Sequence, residues 1–197
     1  MMLKLYTGRG PAKLAAVLCA ILLLQGCAEA VVVSGMSSLV AMHDARTTKG
    51  MFHDQVIEKS ARRALSQDPQ IKDRGDISVT SYNRTVLITG QVRTKALKAR
   101  AAKLVAAIDD VQRVHNKVLV SRAPVDSSWS KDSYITAKVK SRLFFRDFDA
   151  TKVKVVSEMG DVYLLGLVTH AESDAVNTMV ADISGAGTVT KMFEYVD

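Results

Sequence analysis

The sequence predicts an α+β protein built from two tandem copies of one unit, each ordered helix, strand, strand, helix, strand. Three observations carry this. Helical and strand periodicities alternate in the same order twice along the chain. The two middle strands of each copy are joined by short turns at Asn83-Arg84 and Met159-Gly160, which suits a hairpin. The last strand of each copy follows a helix, so the crossover packs that helix on the sheet. The expected unit is a three-stranded mixed sheet with two helices on one face.

The first helix of each copy follows from Asp54, Ile57, Ala61 and Leu65, matched by Asp132, Ile135, Val139 and Leu143. Both sets have helical spacing. The first strand is Ile77 to Tyr82, matched by Val153 to Glu158, and the second is Val86 to Val92, matched by Val162 to Val168. A second helical pattern covers about 94–108 and 170–183, and the closing strands are Val114 to Val120 and Val189 to Val196. Ser121 to Ser130, with Pro124 among small polar residues, reads as a linker. The units are therefore placed at 54–120 and 131–197. Gly90 and Gly166 occupy matching strand positions, and a mid-strand glycine marks close approach of other backbone. A packed helix is the expected neighbour.

The N-terminus carries a different signal. Lys4, Arg9 and Lys13 precede an apolar run from Leu14 to Leu24, too short for a spanning helix, which needs about 20 residues. The run closes on Leu24-Gln25-Gly26-Cys27, which resembles the lipobox of a bacterial lipoprotein. Residues 1–26 then read as a signal peptide, Cys27 as the lipid attachment site, and 27–53 as the lipidated N-terminus and linker. With Ala28 after the cysteine, the pattern favours the outer membrane. Cys19 lies inside the apolar run, so the mature chain would have no free thiol and no disulfide. Its side-chain charge would be +4, against +7 for the whole chain, because three cations and no acid precede Cys27. This mild basicity permits an anionic partner without demanding one.

The hairpin ending in apolar-x-apolar-x-Gly-x-Val, the helix after it and Val114-His115-Asn116 in the closing strand resemble the BON domain. A lipobox followed by two such copies resembles the dual-BON outer-membrane lipoproteins. The second copy departs from the pattern at Ser184 to Val189, where a reshaped loop is expected, and has Lys191 where the first has Asn116. The resemblance implies binding to an anionic phospholipid membrane, support of outer-membrane integrity and no enzymatic activity. A protein-interaction adaptor for outer-membrane assembly machinery is the alternative. Neither reading involves a cofactor, a small-molecule substrate or nucleic acid. His43, His53, His115 and His170 show no metal-ligand spacing, and no nucleophile motif or phosphate loop is present.

The candidate lipid contacts lie on the first helix of the second copy. Lys131, Tyr134, Lys138, Arg142 and Phe145 recur at spacings of three and four, and Trp129 lies just upstream. Rings seat at headgroup depth while long cations meet phosphates. Net charge favours the first copy instead, with 13 basic and 7 acidic side chains over 54–120 against 8 and 10 over 131–197. Its first helix, however, reads as offering Lys59, Arg62 and Arg63 alone, without aromatics. The second copy is therefore expected to dock and the first to assist electrostatically. Finally, the strand face opposite the glycine reads Leu87, Thr89, Gln91 in one copy and Tyr163, Leu165, Leu167 in the other. A face so apolar is expected to be covered, by the first copy or the linker.

Overall fold

The computed structural model describes residues 48–72, 75–123, 129–144, 148–181 and 183–197. The first unit runs α1 (Thr48–Gln67), β1 (Gly75–Tyr82), β2 (Thr85–Val92), α2 (Lys95–Ala106), β3 (Arg113–Asn116) and β4 (Leu119–Val120). The second runs α3 (Trp129–Phe144), a 3-10 turn (Ala150–Lys152), β5 (Val153–Glu158), β6 (Asp161–Val168), α4 (His170–Val180) and β7 (Val189–Tyr195). The expected tandem α+β architecture is observed.

Each sheet is mixed around a central strand. β2 pairs antiparallel with β1 and parallel with β3, with Val86 opposite Val114. β6 pairs antiparallel with β5 and parallel with β7, with Val162 opposite Val189. The helices start where Thr94 and Thr169 cap them, each side chain accepting from a backbone N–H of the first turn. At Thr169, Glu172 reciprocates to complete a capping box.

Each hairpin turn places two residues at positive φ: Asn83 (48°) and Arg84 (64°), then Met159 (52°) and Gly160 (84°). This backbone matches the twist of the flanking strands. Three of the four are not glycine, so the turns need support. It comes from the aspartates of the repeat. Asp54, 3% exposed, accepts from the Ser81 hydroxyl (2.7 Å) and from the amides of Asn83 (2.8 Å) and Arg84 (2.9 Å). Asp132 accepts from the amides of Met159 (2.9 Å) and Gly160 (2.8 Å). The sequence places these aspartates on the inward helical stripe, and their task is to hold the hairpin against the helix.

Four details differ from expectation. Helix α1 begins at Thr48, inside the stretch read as linker, because the first-turn residues need no apolar face when Ile57, Ala61 and Leu65 anchor the rest. Helix α3 likewise takes in Trp129 and Ser130. The closing strand of the first unit is broken at Lys117-Val118. There the Asn116 amide donates to the Lys98 carbonyl (2.7 Å) and its side-chain oxygen accepts from the Val118 amide (3.2 Å), turning Val118 into the core. With Lys191 at the matching position, β7 runs unbroken. Lastly, the strand glycines seat a neighbouring strand and not a helix. A Cβ on Gly90, at φ 100°, would lie 2.0 Å from the Asp76 carbonyl oxygen; one on Gly166 would lie 2.7 Å from that of Lys152.

Three apolar clusters follow from the strand alternation. Ile57, Ala61, Leu65, Leu97, Ala101 and Val105 pack on Val79, Val86, Ile88 and Val92. Ile135, Val139, Leu143, Val176 and Val180 pack on Val153, Val155, Val162, Leu164 and Val168. Tyr82, Leu87, Tyr163, Leu165 and Met192 form a third cluster from the opposite sheet faces. The second unit's apolar hairpin face is therefore covered by the first unit, as its composition requires. The layers run helix, sheet, sheet, helix, with α1 and α2 on one outer face and α3 and α4 on the other. Both helix–sheet cores close within residues 48–197.

Candidate functional site

Helix α3 is fixed from beneath. Ile135, Val139 and Leu143 enter the core and Asp132 ties its first turn to the β5–β6 hairpin. The opposite face is left to solvent. Trp129 is 82% exposed, Tyr134 63% and Phe144 72%. Single exposed apolar residues are ordinary, but three aromatics on one sixteen-residue helix are not.

The expected stripe divides. Lys131 is exposed beside the hairpin turn at Gly160. The Lys138 ammonium lies 5.7 Å from the centroid of the Tyr134 ring, a cation–π contact that leaves most of the ring free. Lys138 also donates to the Ser184 carbonyl (3.3 Å) and hydroxyl, and Arg142 donates to the Met179 carbonyl (3.4 Å). Both cations are half-buried against α4 and the loop after it, so part of their role is to join α3 to α4. Phe145 and Cys27 lie outside the described residues.

On α3, Phe144 and Lys140 join the outward face although the three-and-four spacing from Lys131 does not include them. Phe144 follows the last core position, Leu143, and at about 100° per residue it turns back toward solvent, about 80° from Tyr134. Lys140, also exposed, stands one turn before it. The signal was present in the core spacing itself. On α1, Phe52 and Val56 are 65% and 47% exposed. This corrects the expectation that the first unit's helix offers cations alone. A helical period counted from Asp54 leaves out the turn that carries Phe52.

Polar contacts elsewhere are used for assembly. Lys154 bridges Glu58 (3.0 Å) and the Ser81 carbonyl (3.1 Å). Glu194 accepts from the Asn83 side-chain amide (2.8 Å) and the Thr85 hydroxyl (2.5 Å). Beside this contact a cleft of about 370 Å³ is lined by Thr85, Gln112, Arg113, Phe193, Glu194 and Tyr195. Burial raises the pKa of Glu158 at the same interface, against the opposing hydrogen bond from Thr89. No helix among the described residues is long and apolar enough to cross a membrane.

Comparison with known proteins places this arrangement. The sequence profile of the BON domain matches residues 53–122 and 131–197. The chain is 39% identical over 186 residues to "Outer membrane lipoprotein DolP" of Haemophilus influenzae, covering 94% of this chain and 96% of that protein. It is 32% identical over 154 residues to "21 kDa hemolysin" of Actinobacillus pleuropneumoniae, covering 78% and 79%. "Osmotically-inducible protein Y" of Escherichia coli is 29% identical over 140 residues, 69% of each chain.

Proposed function

The chain belongs to the BON-domain family as a two-copy outer-membrane lipoprotein, and from that premise we propose that its second copy docks on anionic phospholipid through the outward face of α3. The single observation that carries this reading is the trio of exposed aromatics, Trp129, Tyr134 and Phe144, on a helix flanked by Lys131, Lys138, Lys140 and Arg142. The rings take up the interfacial layer and the cations meet lipid phosphates, each contributing about 1 kcal/mol near an anionic leaflet.

In this reading Cys27 carries the lipid anchor and α3 acts after anchoring. A multiply acylated cysteine holds the chain at one leaflet, since each buried methylene contributes about 0.8 kcal/mol. Tethering raises the effective concentration of α3 at that surface. The helix then sets orientation and favours anionic patches, and in doing so supports outer-membrane integrity.

Vesicle flotation of the unlipidated fragment 28–197 tests the proposal. Binding to phosphatidylglycerol-containing vesicles should exceed binding to neutral ones, and Tyr134→Ala with Lys138→Glu should weaken it. Equal recovery with both vesicle types would overturn lipid docking and leave protein interaction as the better reading.

A further inference from the structure

We propose a second lipid-docking face on α1, formed by Lys49, Phe52, Val56, Lys59 and Arg63, which engages the same anionic bilayer in an alternative orientation of the molecule. The inference goes beyond docking through α3 and does not depend on it.

The spacing along these five residues is three, four, three, four. At about 100° per residue they form one stripe, directly opposite Ile57, Ala61 and Leu65, which face the core. Phe52 and Val56 are 65% and 47% exposed, and the three cations are exposed as well. The acids of the helix stand elsewhere: Asp54 is turned in to cap the hairpin, and Glu58 is taken up by Arg62, Lys154 and the Ser81 amide. The stripe is therefore wholly basic and apolar.

Three features favour a lipid surface as its occupant. The stripe lies on the more basic unit, with 13 cations and 7 acids over 54–120. Phe52 and Val56 supply what charge alone lacks, a fixed depth in the interface. The stripe also sits in the first turns of the fold, 21 residues after Cys27, so a lipid on that cysteine delivers this end of the protein to the leaflet first.

The layer order adds a constraint. α1 and α3 occupy opposite outer faces of the helix–sheet–sheet–helix stack. A flat bilayer meets one stripe or the other, so the two act as alternatives.

Depth quenching separates the faces. Trp129 is the chain's single tryptophan. Fragment 28–197 carrying Trp129→Ser, Tyr134→Ser, Phe144→Ser and Phe52→Trp places the only indole on α1 with the α3 face stripped of its rings. Vesicles of phosphatidylcholine and phosphatidylglycerol with brominated acyl chains should quench this indole at least twofold more than vesicles of phosphatidylcholine alone. Adding Lys59→Glu and Arg63→Glu should abolish the difference. Both sites are exposed, and an unchanged thermal melt confirms folding. Quenching equal to that of a soluble indole, or unaffected by the charge reversals, overturns the α1 face and points to a protein occupant. Failure of α3 docking shows separately, as wild-type Trp129 remaining unquenched while the α1 indole responds.

Discussion

The phenolic hydroxyl of Tyr82 donates to the backbone carbonyl of Lys152, 2.9 Å away, and so fastens the end of one unit's first strand to the start of the other's. The ring itself is 2% exposed and lies with Leu87 against Tyr163, Leu165 and Met192. Tyr82→Phe should cost about 1 kcal/mol, the net value of one hydrogen bond. Tyr82→Ala, which also opens a cavity, should cost about 3–5 kcal/mol. Urea unfolding of 28–197 measures both. A near-zero cost for Tyr82→Ala would mean that the units do not share this cluster.

Buried aspartates hold the hairpin turns. Asp54→Ala removes at least three acceptor contacts and Asp132→Ala at least two. Each should destabilise by about 2–3 kcal/mol, since the partners are left without an acceptor, and Asn should recover part of this. Equal stability of Asp54→Ala and wild type in denaturant titrations would refute the role.

Gly90→Ala should be the harsher of the two strand-glycine substitutions. Its φ of 100° is unfavourable for any L side chain, and the added Cβ meets backbone at 2.0 Å. A loss of about 3 kcal/mol or more is expected, from strain together with overpacking. Gly166, with contact at 2.7 Å and no positive φ, should lose less. Melting temperatures of the two variants, measured side by side, give the ranking.

Glu158 sets a pH dependence. Burial raises its pKa in the folded state, so the folded protein binds the proton more tightly than the unfolded chain. Its contribution is most favourable below the ordinary glutamate value of 4.5 and is lost as pH rises through the raised value. Glu158→Gln should therefore be more stable than wild type at pH 7, with the gap closing below pH 4.5. Glu172 has the opposite sign: the hydrogen bond from Lys152 lowers its pKa, so its stabilisation is lost as pH falls. Chemical denaturation across pH, with each variant, separates the two.

Much of the fold is legible in the sequence itself. Local periodicity named the elements because Ile57, Ala61 and Leu65, or Val162, Leu164 and Val168, each mark one buried face. The covering of Leu165 was readable because an apolar face on both sides of a strand must be shielded. The broken closing strand was not, since it depends on Asn116 meeting Lys98 across the crossover. The depth of Lys138 and Arg142 was hidden for the same reason: spacing gives the side of a helix, while Ser184 and Met179 come from elsewhere in the chain. Phe52 was missed at a boundary, where a helix continues past its last core contact.

The fluorescence of Trp129 tests the central claim most directly, because no other tryptophan contributes to the signal. With 28–197 and phosphatidylglycerol-containing vesicles, its emission should shift to shorter wavelength and be quenched by brominated acyl chains, with little change on neutral vesicles. Emission identical in buffer, neutral vesicles and anionic vesicles would contradict docking through α3.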